Sequence, residues 1–283
     1  LRKNQLHIII KLGICCLIWL NCFSCGVAQE VKRIAEPDPY QLLKRITVDA
    51  KVMSTDNLQN LYVITGDGNV IKYDDEGTEV AQFNEFSLGV PTHLDATDPF
   101  QILVFYPDFM TIVTLSTALN KMGSYELFDL DINFANNLCF ANDGNIWIYD
   151  GSTLELKKYS RQGEVLKSSQ SLSFEFDQEV NPNFLLQRSN TLFLNDSLLG
   201  VLVFDMYGQY RELIPLKGLS NFQVVDNRLI YPKGKSLLAV DLAVFSVEKI
   251  RLPATVNEKT DLIQLEKSRL FVAGASELLI YKY

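Results

Sequence analysis

The feature that most constrains this chain is a repeat of about 42 residues. Short apolar triplets recur as Leu61-Tyr62-Val63, Ile102-Leu103-Val104, Ile146-Trp147-Ile148, Leu192-Phe193-Leu194, Leu229-Ile230-Tyr231 and Leu270-Phe271-Val272. A second apolar anchor follows each: Tyr73, Leu115, Tyr159, Phe204, Val240 and Tyr281. Turn-forming clusters such as Gly66-Asp67-Gly68-Asn69, Asp150-Gly151-Ser152 and Asn195-Asp196-Ser197 lie between the two markers and read as hairpins. A further strand and turn precede the first marker, clearest in Leu138-Cys139-Phe140-Ala141 before Asn142-Asp143-Gly144-Asn145. A fourth strand follows the second marker, as in Glu164-Val165-Leu166.

Four short strands per unit of this length make a β-propeller blade, and six units fill residues 41–283. The expected fold is therefore all-β, a six-bladed β-propeller of four-stranded antiparallel blades. No stretch longer than a turn or two carries a helical period. The sixth unit holds only three strands of its own. The run Leu42 to Val48, just ahead of unit one, is expected to supply the missing outer strand and close the ring.

Two units carry a resemblance. Asn57-Leu58-Gln59-Asn60-Leu61-Tyr62-Val63 with Val70-Ile71-Lys72-Tyr73-Asp74-Asp75-Glu76-Gly77 resembles the blade pattern of six-bladed propellers of the NHL and TolB-like kind. Asn142-Asp143-Gly144-Asn145-Ile146-Trp147-Ile148, followed by Leu156-Lys157-Lys158-Tyr159, is similar to it as well. The resemblance covers about residues 42–283 and implies architecture. It leaves activity open, because this fold hosts binding modules, lyases and lactonases.

Ahead of the repeats, Arg2 and Lys3 precede an apolar stretch from Leu6 to Val27 that closes with Gly26-Val27-Ala28. A basic start, an apolar middle and small residues before the cut are the pattern of a secretory signal peptide, expected over 1–28 with a linker at 29–40. The strongly apolar part, Leu12 to Phe23, is too short to span a bilayer core of about 30 Å, so no transmembrane span is expected once the leader is removed. The expected location is the periplasm or the medium, as for an exported bacterial protein. Cys25 after Ser24 leaves a lipid anchor, and so a lipoprotein on a membrane surface, as the alternative. Cys15, Cys16, Cys22 and Cys25 all fall in the leader, so Cys139 alone cannot form an internal disulfide. Flanked by Leu138 and Phe140, it is expected to be a buried, inert thiol.

Beyond residue 28 the chain has 23 basic and 34 acidic residues, a net charge of −11. A surface that acidic excludes nucleic acid and anionic lipid as main partners. The chemistry is equally restricted. With His7 in the leader, His93 stands alone, so paired-histidine sites and zinc motifs are absent. There is no Gly-x-Ser-x-Gly elbow, P-loop or dinucleotide fingerprint. No catalytic residues, no metal set and no cofactor are expected.

Propeller sites gather where the inner strands enter the central channel. Aligning the units places Lys51, His93, Asn137, Asn183, Asn221 and Asp261 at that mouth. Among six-bladed propellers, the lactonase-like enzymes hold a divalent metal there with a Glu, an Asp and two Asn. Lys51 stands where a carboxylate is wanted, so polar residues lining a water-filled channel are the expectation. A channel-metal-dependent lactonase- or lyase-like hydrolase is the alternative. On the same face the turns between second and third strands offer Tyr106, Phe109, Leu198, Leu199, Lys233 and Lys235 as ligand-binding candidates, unless Phe109 and Leu199 fold back onto neighbouring blades. The chain reads as an exported, non-catalytic propeller that binds a protein (or glycan) partner in the cell envelope.

Overall fold

The second strand of nearly every blade is buried on both faces, which is why the sequence there runs apolar without alternation. Leu61–Thr65 and Gln101–Tyr106 are buried at every position. The computed structural model describes residues 39–98, 100–256, 260–274 and 276–283, without the side chains of residues 136, 260 and 261. The expected leader, with Cys25, and the expected linker as far as residue 38 lie outside the described residues.

Six four-stranded antiparallel sheets form the blades of a ring. Blade 1 is Ala50–Thr55, Leu61–Thr65, Val70–Tyr73 and Glu79–Phe83. Blade 2 is His93–Asp95, Gln101–Tyr106, Thr111–Ser116 and Lys121–Glu126. Blade 3 is Ala135–Phe140, Ile146–Asp150, Glu155–Tyr159 and Val165–Ser168. Blade 4 is Pro182–Arg188, Thr191–Asp196, Gly200–Asp205 and Tyr210–Ile214. Blade 5 is Gln223–Val225, Arg228–Lys233, Ser236–Asp241 and Val247–Arg251.

Blade 6 joins both ends of the repeat region. Thr260–Leu265, Arg269–Gly274 and Glu277–Lys282 are completed by Gln41–Thr47, which pairs antiparallel with Glu277–Lys282. The register runs from Gln41 opposite Lys282 to Thr47 opposite Glu277, with a bulge between Leu42 and Lys44. An open sheet edge is thereby paired. Tyr40, at the end of the expected linker, is already docked on the ring. Its hydroxyl donates to the Arg251 carbonyl (2.8 Å), and its ring meets those of Tyr281 and Tyr283.

The core is divided among the seams between blades. Each of six buried clusters takes its side chains from two consecutive blades, the last joining blade 6 to blade 1 through Phe271, Leu278 and Ile280 against Leu61, Val63 and Tyr73. Trp147 is the largest fully buried side chain, and its indole N–H donates to Gln187 Oε1 across the seam between blades 3 and 4 (2.9 Å). Buried Trp normally finds such a partner, since an orphaned N–H in an apolar seam is costly. Cys139 packs in the same seam, where burial pushes its thiol well up from the usual range.

The acidic turns are structural. Asp74 accepts from the backbone N–H groups of Glu76 (3.0 Å) and Thr78 (2.7 Å), and Gly77 takes the left-handed conformation that the turn requires (φ 81°). Asp205 does the same for Tyr207 and Gln209. Asp75 ion-pairs with Arg269 of blade 6, so the run Asp74-Asp75-Glu76 is partly fixed.

Candidate functional site

The inner strands enclose a cavity of about 220 Å³ on the ring axis, lined by residues of all six blades. At one end it is bounded by Lys51, Thr92, His93, Ser220 and Asn221, and at the other by Thr55, Thr97 and Arg188. Between these ends the wall is largely apolar, with Met53, Leu94, Leu138, Leu185, Leu186 and Leu262.

Of the residues expected at the mouth, Lys51, His93, Asn183 and Asn221 line this cavity. Asn137 is buried behind His93. Asp261 falls in the inner strand of blade 6, but its side chain is outside the described residues. Lys51, His93, Asn137 and Asn183 already have partners. Lys51 Nζ lies 2.8 Å from Asp49 Oδ1. Asn137 Nδ2 donates to the Pro182 carbonyl (2.7 Å), which leaves Asn137 Oδ1 as the acceptor facing His93 Nε2 (3.4 Å). That amide orientation assigns the imidazole hydrogen to Nε2, so Nδ1 accepts from the Thr92 hydroxyl (2.9 Å). Burial lowers the His93 pKa, outweighing the Asn137 contact, and the neutral ring lies edge-on to Phe105. His93 is a fully hydrogen-bonded wall residue with no lone pair turned to a substrate. Asn183 donates to the Leu219 carbonyl (3.0 Å) and accepts from Asn195.

These bonds belong to a pattern that repeats at all six seams. Ser54 Oγ accepts from the Ala96 N–H (3.0 Å), and Asp95 Oδ2 accepts from the Phe140 N–H (2.8 Å). Asn137 reaches Pro182, and Asn183 with Asn195 reaches Leu219. Gln223 Oε1 accepts from the Leu265 N–H (2.8 Å), and Gln264 Nε2 donates to the Met53 carbonyl (3.2 Å), closing the circle. A polar residue near the axis thus fastens each blade to backbone of the next. Among the described residues no three His, Cys, Asp or Glu side chains come together as a metal-ligand set.

The face at the Lys51 end carries the connectors between blades. They are tied down by backbone hydrogen bonds to the turns between second and third strands: Leu127 N–H to Met110, Gly151 N–H to Phe134, Leu172 N–H to Leu154 and Gly218 N–H to Ser197. The three connectors at 84–92, 127–134 and 169–181 contain six carboxylates, Glu85, Asp129, Asp131, Glu175, Asp177 and Glu179, and no Lys or Arg. They also expose Phe86, Phe128, Phe134 and Phe174, the last 83% accessible.

The turn residues expected to bind a ligand divide into two groups. Phe109 (53%) and Leu198 (74%) are exposed, as are Lys233 and Lys235. Tyr106 is fully buried in the seam between blades 1 and 2, and Leu199 is buried in the seam between blades 3 and 4, so neither offers its side chain at the surface. Tyr106 is the last residue of a strand that is buried along its whole length, and Leu199 directly precedes the buried strand that starts at Gly200. The four connector phenylalanines were not singled out in the sequence, where an apolar letter gives no sign of whether a connector lies over the core or projects from it.

No protein-family model matches the chain, and no curated protein matches it. Solved structures match its shape. Virginiamycin B lyase from Staphylococcus aureus superposes with a TM-score of 0.63 at 9% identity, over 86% of this chain and 99% of that one. The Pan2 WD40 domain of Neurospora crassa gives 0.62 at 10% identity, over 87% and 96%. A streptogramin B lyase structure gives 0.59 at 11% identity, over 86% and 97%. At these identities the similarity shows the propeller fold, which is common to lyases and to a WD40 domain alike.

Proposed function

We propose that this chain is an exported, non-catalytic β-propeller that holds a protein partner in the bacterial cell envelope through its connector face. The observation that carries this reading is the surface of 84–92, 127–134 and 169–181, where four exposed phenylalanines sit among six carboxylates and the connectors contribute no Lys or Arg, Glu85 alone being paired with Lys121 of the neighbouring strand among the ion pairs of the described residues. Exposed aromatics on backbone-tethered connectors are the usual anchors of an interface. Phe109 and Leu198, on the adjoining turns, extend the same face. The partner segment that suits it is apolar and flanked by Lys or Arg, since like charges across an interface cost several kcal/mol. Residues 1–28 support export, by the signal-peptide pattern. Among the described residues no helix is long and apolar enough to cross a membrane.

The axial amides favour binding over channel chemistry. The side-chain oxygens that a metal would need from Asn137 and Asn183 already accept from His93 and Asn195.

The test is a pull-down from envelope extracts with three versions of the protein. Phe109→Ala with Leu198→Ala, and separately Phe174→Ala, should keep the wild-type melting temperature while weakening capture about tenfold or more. Capture should also fall with added salt. Undiminished capture by both folded variants would move the binding surface away from this face.

A further inference from the structure

The axial cavity meets solvent chiefly on the connector face. Lys51, Thr92 and Ser220, at the end it shares with the connectors, are exposed, whereas Thr55 at the far end is buried and Arg188 and Thr97 are half-buried. The charges along it are matched. Lys51 sits against Asp49 (2.8 Å). Arg188 is offset by Glu266, whose carboxylate accepts from the Thr55 hydroxyl. Both Asp95 oxygens accept backbone N–H bonds, from Phe140 and from Thr97. The wall holds no surplus charge for an ionic group to answer, so what enters it should be neutral.

Between its ends the wall is apolar and partly aromatic. Phe184 and Phe222 line it together with Leu94, Leu138 and Leu262, and the two rings meet edge to face with centroids 5.1 Å apart. A dry cavity of ~150 Å³ lined by Leu, Ile and Phe accepts benzene. A volume of about 220 Å³ has room for a ring and its stem, and falls short of the ~300–1,000 Å³ of drug-sized sites. At the mouth the side chains of Ser220 and Asn221 have no hydrogen-bond partner among the described residues, which leaves them to pair with the main chain that carries such a ring. The same face bears the three connectors, with their six carboxylates and no Lys or Arg of their own.

We propose that the partner held on the connector face anchors itself by inserting one aromatic side chain into the axial cavity, from a segment that carries Lys or Arg on either side of that residue. The ring lies in the wall formed by Phe184, Phe222 and the leucines, and the flanking cations remain outside, among the connector carboxylates. Interfaces commonly concentrate their affinity in one aromatic anchor seated in a pocket, within a surrounding rim of weaker contacts. This inference rests on the connector-face reading and names the anchor for it.

The test is calorimetric titration of the full chain with the pentapeptide acetyl-Lys-Lys-Phe-Lys-Lys-amide and with its counterpart carrying Ala in place of Phe. The phenylalanine peptide should bind about tenfold or more tightly. Added salt should weaken both peptides while leaving their ratio unchanged, because the ratio reports apolar burial. Leu262→Gln, which puts an amide into the half-buried apolar wall, and Ser220→Trp, which places a ring of the protein's own at the exposed mouth, should each reduce the ratio to below about threefold. Equal affinity of the two peptides, absence of binding by the phenylalanine peptide up to ~5 mM, or a ratio that survives in the folded variants would each overturn the anchor and leave the connector face to its own pull-down. Should Leu262→Gln fail to fold, Ser220→Trp decides, since that position is exposed. Conversely, undiminished capture by the connector-face variants would overturn that reading even where the phenylalanine peptide enters the cavity.

Discussion

Arg269 and Asp75, 194 residues apart in sequence, are joined twice. The guanidinium Nη2 lies 2.8 Å from the Asp75 carboxylate, and Nε donates to the Asp75 carbonyl at 2.7 Å. Arg269 belongs to the second strand of blade 6 and Asp75 to a turn of blade 1, so the pair clasps the ring at the seam where it closes. Gln59 adds a second clasp by accepting from both the backbone and the hydroxyl of Ser268.

Closure should therefore dominate stability. Deleting 41–47 leaves Glu277–Lys282 and its sheet with an unpaired edge, and the expected result is aggregation or a fall of well over ten degrees in melting temperature. Removing 29–38 should change little. Arg269→Ala alone should cost about 1–2 kcal/mol in urea unfolding, because the carboxylate side of the pair is partly solvent-exposed. Equal tolerance of the two deletions would contradict the role assigned to the strand.

Asn137→Ala should destabilise the fold by about 1–3 kcal/mol, since it strips the Pro182 carbonyl and His93 Nε2 of their partner inside the ring. Asn221→Ala, at the same end of the cavity, should be nearly neutral. Chemical denaturation of the two variants distinguishes a seam residue from a mere lining residue.

Tyr106 supplies the opposite sign. Its hydroxyl is buried without a hydrogen-bond partner among the described residues, and burial together with Glu85 pushes its pKa up to about 12. Tyr106→Phe removes the desolvated group and keeps the ring, so it should leave stability unchanged or raise it by up to about 1 kcal/mol. A marked loss would mean that the hydroxyl has work to do in the seam.

His93 sets a pH dependence. Its folded pKa lies below that of a free imidazole, about 6.5, because burial disfavours the cation. As pH falls below that value the unfolded chain takes up a proton that the folded ring refuses. Stability should therefore decline on acidification and level off only once the folded imidazole titrates. Melting curves between pH ~7.5 and ~5.5 should show a shallower decline for His93→Gln than for wild type.

Blade number, strand order and the closing strand were legible in the sequence because each follows from periodicity. Tyr62, Leu103, Trp147 and Phe193 keep phase, and the run from Leu42 has no other sheet to join. The approximate position of His93 and Asn183 on the inner strands was legible too. What those side chains do there was not. Whether Asn137 faces a ligand or the Pro182 carbonyl depends on the offset between neighbouring blades, and its partner lies 45 residues away. The exposure of Phe86, Phe128, Phe134 and Phe174 is set by the course of the connectors, on which hydrophobic pattern is silent.

The clasped ring also has a consequence in time. Arg45 and Glu277 meet across the closing strands from 232 residues apart, so Gln41–Thr47 emerges from the ribosome long before the strand it pairs with. Bringing segments that distant together costs about 5 kcal/mol of chain entropy by the logarithmic loop law, and no single seam can meet that cost before the blades between have stacked. Folding of this topology is expected to be slow, with the last step a docking of the two ends. During synthesis Leu42, Leu43 and Ile46 stand as an unpaired apolar strand, and this is the interval in which the chain is most open to a chaperone or to a second copy of itself.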